Sequence, residues 1–136
     1  MFEFNTTRTA AQTRDMTDRS WTCEAVGADG AVVADYTLAP VRVPEVGERW
    51  LAVRGTDLAD YEALVGSYGT LEDAHEGAEA HARGLWHGAL AARSGHSLPD
   101  PDMLAAMAPE FGSAYREAFE AWHADDAAAA ERRAGE

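Results

Sequence analysis

The sequence predicts an α+β domain, an antiparallel sheet of three or four strands packed against one long helix and followed by a C-terminal helical segment. Three observations carry this. Apolar residues alternate with polar ones from Trp21 to Leu38, a glycine-bearing turn at Gly27-Ala28-Asp29-Gly30 divides that alternation, and helix-spaced stripes replace it after Thr70.

Residues 1–19 hold Asn5, Thr6, Thr7, Thr9, Gln12 and Thr13 with little apolar content, too little to offset the entropy of ordering them, and are expected to form a flexible arm. Trp21, Cys23 and Ala25 then alternate with Thr22 and Glu24, and Val32, Ala34, Tyr36 and Leu38 with Val33, Asp35 and Thr37. This is a β-hairpin, with Asp29-Gly30 supplying the positive φ of its turn. Pro40 and Pro44 are expected to end the second strand, because proline cannot donate to a ladder. Arg49 to Arg54 makes a third strand between Gly47 and Gly55. Residues 57–68 fit two patterns: Leu58, Tyr61, Leu64 and Val65 could share a helix face, or Tyr61 to Val65 could form a short fourth strand, and the strand is the reading taken.

Thr70-Leu71-Glu72-Asp73 resembles a capping box and opens the long helix. Its apolar stripe runs through Leu71, Ala74, His75, Ala78, Ala82, Leu85, Trp86 and Ala89 to a stop at Ser94-Gly95. Gly77, Gly84 and Gly88 each cost it about 1 kcal/mol against alanine unless they allow close approach of a strand or another helix, and close packing on the sheet is the expected reason. Asp100-Pro101 caps a short helix through Met107, and Pro109 begins the last one, with Phe111, Tyr115, Ala118, Phe119 and Trp122 on its apolar face. The expected organisation is a flexible arm over 1–19, one α+β domain over 20–126 and a frayed acidic, alanine-rich tail over 127–136. Within the domain the sheet occupies 20–68 and the helices 70–93, 101–107 and 109–126.

All eleven basic residues are arginine, against 24 acids, for a formal net charge of -13 on 136 residues. The acids are spread over the whole chain and densest beyond residue 99. Charge of this sign repels nucleic acid and anionic membranes at long range, which disfavours direct binding to either. Lysine-free composition fits a GC-rich bacterial or phage genome, and halophily would leave the same mark. The polar first twenty residues and the absence of any run near the roughly 18 apolar residues that span a bilayer predict a cytoplasmic protein. The single cysteine, Cys23, lies in a strand and reads as a small buried hydrophobe.

No nucleophile motif, phosphate loop or zinc signature is present. His75 and Glu79 are four apart on one helix face, but two ligands do not make a metal site, so neither metal nor cofactor is expected. His81 and His87 point to different faces. Carboxylate pairs such as Glu76 and Glu79, or Glu117 and Glu120, are common in a chain this acidic. The strand aromatics Trp21, Tyr36, Trp50, Tyr61 and Tyr68 could stack bases, but their alternation with polar residues assigns them to the core first.

The resulting expectation is a non-enzymatic acidic protein that binds or regulates a protein partner. A basic nucleic-acid-binding protein fits best, and the carboxylates of Glu110, Glu117, Glu120, Asp125 and Asp126 could imitate a phosphate track as DNA-mimic inhibitors of phage or mobile elements do. One alternative is a small enzyme with a pocket between sheet and helices, pairing His75 or His87 with Glu79 or Asp73. Another is a homodimer joined through the aromatic face of the last helix.

Overall fold

The computed structural model describes residues 3–8, 20–27, 30–55 and 63–134. Five strands come first: β1 (Glu3–Arg8), β2 (Trp21–Val26), β3 (Val32–Val43), β4 (Gly47–Arg54) and β5 (Leu64–Tyr68). Three helices follow, α1 (Leu71–Arg93), α2 (Pro101–Ala106) and α3 (Pro109–Ala134). The fold is α+β, with an antiparallel sheet against a long helix. The chain forms two compact units, Met1–Ala80 and His81–Glu136, and α1 runs through their boundary.

In the first unit the strands pair in sequence order, every neighbour antiparallel. The sheet gains a strand from the segment expected to be a flexible arm, since β1 pairs with β2 from Glu3↔Val26 to Arg8↔Trp21. An outer strand is held mainly by its ladder, and threonine favours the extended backbone, so poverty in apolar residues does not prevent pairing. The rest of that segment lies outside the described residues. β5 begins three residues later than the expected Tyr61–Val65 strand, and residues 61 and 62 also lie outside the description. The β2–β3 turn closes with Gly30 at φ 81° and its amide donating to the Gly27 carbonyl.

Pro40 does not end β3, which continues to Val43. The Gly55 amide donates to the Asp35 carbonyl, so Asp35 faces β4, and strand alternation turns the backbone of Pro40 to the opposite side. There the described β2 register stops at Trp21↔Leu38, while β3 remains paired with β4 through Pro40↔Trp50. The missing amide of Pro40 therefore falls where no described ladder bond is required.

Directly paired residues share a face, which places Cys23, Ala25, Ala34, Tyr36, Leu38, Trp50 and Ala52 together, all buried. Gly66 and Tyr68 of β5 belong to the same face through Ala52↔Gly66 and Trp50↔Tyr68. A Cβ on Gly66 would stand 2.5 Å from Tyr68 Oη, and one on Gly77 of α1 would run into the same phenol. The Tyr68 ring thus occupies space that two missing side chains leave, one on its own strand and one on the helix. Thr37, Ala39 and Val53, on the other face, are buried as well, and Thr37 Oγ1 donates to the Gly55 carbonyl at 2.7 Å.

In the second unit the glycines of α1 meet another helix rather than the sheet. A Cβ on Gly84 would collide with the Phe111 carbonyl oxygen and lie 2.9 Å from Ala114 Cβ, and one on Gly88 would collide with the Tyr115 carbonyl oxygen. One turn of α1 corresponds to one turn of α3 at these contacts, so two backbones approach directly. The expectation of close packing on the sheet therefore holds for Gly77 and is corrected for Gly84 and Gly88. Gly95, at φ 78°, ends α1 by donating to the Ala92 carbonyl while the His96 amide reaches Ala91, a Schellman closure. Asp100 caps α2 by accepting from the Asp102 amide, with Pro101 following. α3 continues to Ala134 through the segment expected to fray from residue 127, because alanine is the strongest helix former and needs no apolar stripe to extend an existing helix.

Two outcomes follow for urea denaturation. Gly77→Ala gains about 1 kcal/mol of helix propensity but displaces the Tyr68 ring at ~1–3 kcal/mol, so it destabilises on balance, whereas in a Tyr68→Ala background the same change stabilises by about 1 kcal/mol. An unchanged sign in the second background would show that the ring is not the obstacle. Gly88→Ala should cost about 2 kcal/mol with Tyr115 or with alanine at position 115, since the obstacle is a backbone oxygen.

Candidate functional site

Thr70 begins the site by fixing where α1 starts. Its Oγ1 accepts from the Asp73 amide at 3.1 Å and its carbonyl from the Ala74 amide, the threonine half of the capping box. From that start, Glu72, His75, Glu76 and Glu79 fall within about 100° of the helix circumference at 3.6 residues per turn. Glu72 and Glu76 are exposed, and His75 and Glu79 are half-buried. Trp21, the first residue of β2, pairs with Leu38 and so projects from the helix-bearing face of the sheet.

Between Trp21 and the beginning of α1 lies a groove of about 740 Å³, open to solvent, lined by Trp21, Thr70, Leu71 and the four residues of that stripe. Its lining combines three glutamates, a histidine and a threonine with the apolar Trp21 and Leu71. Like charges three and four residues apart, as in Glu72–Glu76 and Glu76–Glu79, each destabilise a helix by roughly 0.2–0.5 kcal/mol. The positive end of α1 offsets this for Glu72, which stands in the first turn, and less so for the two that follow. Among the described residues no group of three His, Cys, Asp or Glu is arranged to hold a metal ion.

Of the acid–base candidates, the structure brings His75 and Glu79 into this groove and leaves Asp73 and His87 out of its lining. His87 is exposed, with its ring 5.9 Å from that of Phe111. Cys23 is 1% exposed, a small apolar side chain in the sheet core. Tyr36 and Trp50 are buried, so those two rings of the supposed stacking platform are core, and Tyr61 lies outside the described residues.

The acidic residues singled out on the last helix lie along α3. Glu117, Glu120, Asp125 and Asp126 are exposed and Glu110 is half-buried. Helical geometry puts Glu110, Glu117, Glu120 and Asp125 within about 140° of one another and Asp126 on a different side. Arg116 Nε meets Glu120 Oε1 at 3.0 Å, an exposed i,i+4 pair of the kind that contributes little. Of the aromatic face offered for dimerisation, Phe119 is buried with its ring tilted 56° against that of His123 at 4.7 Å, Phe111 and Tyr115 are half-buried, and Trp122 remains 41% exposed.

Trp21, Leu71, Glu72 and Glu76 enter the site without having been singled out together. The spacing of the acids was legible, but Trp21 is fifty residues away from them in sequence and joins them only through the face it takes in the sheet. No helix among the described residues is long and apolar enough to cross a membrane. Comparison with family models, curated proteins and solved structures finds no match.

Proposed function

We propose that the chain is a non-enzymatic acidic protein that binds and regulates a basic protein partner. The observation carrying this reading is the exposure of Glu117, Glu120 and Asp125 along one broad side of α3, in a chain of net charge -13. Fields of this kind accelerate encounter with positively charged surfaces and discriminate against acidic ones. A basic nucleic-acid-binding protein is the partner class this surface suits, with the carboxylates occupying the place of phosphates. Direct nucleic-acid binding has no comparable support. Affinity capture with the full chain, beside a Glu117→Gln, Glu120→Gln, Asp125→Asn variant, tests the reading. A basic protein should be held by the wild type, lost from the variant, and released at about 1 M salt, where the screening length is ~3 Å. If the chain also blocks DNA binding by the captured protein, it acts as a DNA mimic. Equal capture by the variant would end the acidic-surface reading.

One observation favours a second reading, a small enzyme: His75 and Glu79 both line the groove, and a histidine beside a carboxylate can serve as general acid and base. A panel of chromogenic esters, phosphoesters and glycosides checks it. Turnover that falls by about 100-fold or more in His75→Gln is the expected signature of such catalysis. No turnover, or turnover indifferent to that substitution, removes this reading.

A further inference from the structure

We infer that the groove between Trp21 and the first turns of α1 seats an arginine side chain presented by a peptide segment of the basic partner, an inference that rests on the binding reading above. Charge decides the sign of the occupant. Glu72, Glu76 and Glu79 line one wall, and a helix N-terminus that would otherwise attract an anion has its Asp73 amide taken by Thr70 Oγ1 and carries Glu72 and Asp73 in its first turn. An anion entering here meets the exposed carboxylates of Glu72 and Glu76. A cation relieves their mutual repulsion.

The other lining residues select among cations. Trp21 offers an indole and Leu71 an apolar side chain, surfaces on which a planar, weakly hydrated guanidinium stacks with less loss of solvation than a compact ammonium. Carboxylates one helical turn apart also suit a fork of several N–H donors better than a point charge. The volume, about 740 Å³, exceeds what one side chain fills. It falls within the range of roughly 300–1,000 Å³ typical of ligand pockets. Because the groove is open, a chain can enter and leave it, so the arginine comes with flanking peptide.

Calorimetric titration of the full chain with a capped arginine–glycine repeat peptide tests this, with the lysine–glycine peptide and free arginine as comparators. The arginine peptide should bind about tenfold tighter than the lysine peptide and tighter still than free arginine. Glu72→Gln with Glu76→Gln, both at exposed helical positions that tolerate glutamine, should weaken it by about tenfold or more, as should Trp21→Phe in lesser degree. A Glu117→Gln, Glu120→Gln, Asp125→Asn variant should bind the peptide as the wild type does. Equal affinity for the lysine peptide overturns guanidinium selection, and free arginine binding as tightly as the peptide overturns a peptide occupant. Peptide binding lost in the α3 variant and kept in the groove variants overturns the groove as the site while leaving a basic partner on α3 in place. Absence of arginine-peptide binding overturns the inference, and the capture experiment then decides the broader reading separately.

Discussion

Helix α1 is built around the absence of side chains. Its glycines are poor choices for helix formation, yet each stands where a Cβ would meet something that already occupies the space. Near its beginning the occupant is the Tyr68 phenol, a side chain that has itself settled over Gly66 of its own strand. Further on the occupants are carbonyl oxygens of α3. These are different constraints. A tyrosine ring can shift by rotating, whereas a helix backbone moves only as a body, so the contacts in the second unit are the less forgiving of the two.

The same helix supplies the wall of the groove, and the two roles divide its circumference. Ala74, Gly77 and Ala78 are buried, with Gly77 turned toward Tyr68, while Glu72, His75, Glu76 and Glu79 line the opening beside Trp21. Small residues bring the helix close to the sheet, and the three glutamates line one groove with Trp21. Packing and the lining of the groove are in this sense two sides of one helix. Among the acids of α3, Glu120 is paired with Arg116 one turn away along the same helix.

Much of the fold could be read from local rules. The β2–β3 hairpin, the third hairpin strand, the Thr70 and Asp100 caps and the stop at Gly95 all follow from residues within a few positions of one another. The departures came where a distant partner decides. β1 is a strand because β2 offers it a ladder, Pro40 is tolerated because of where β2 ends, and Gly84 and Gly88 answer to a helix that begins some twenty residues later. The site shows the same division. Its acids and histidine were visible as a helical spacing, but the tryptophan that gives them a groove was not, because a strand's facing is settled by register rather than by neighbours in sequence.

Cys23 gives the molecule a built-in clock. Its thiol sits on β2, a strand paired on both sides, and only 1% of the residue is reachable by solvent. No reagent can alkylate it without the sheet first parting from what covers it, and there is no second cysteine to confuse the count. The rate of thiol modification in native buffer is then governed by how often that core opens, so a change that loosens the sheet should quicken the clock even where the average fold is unaltered.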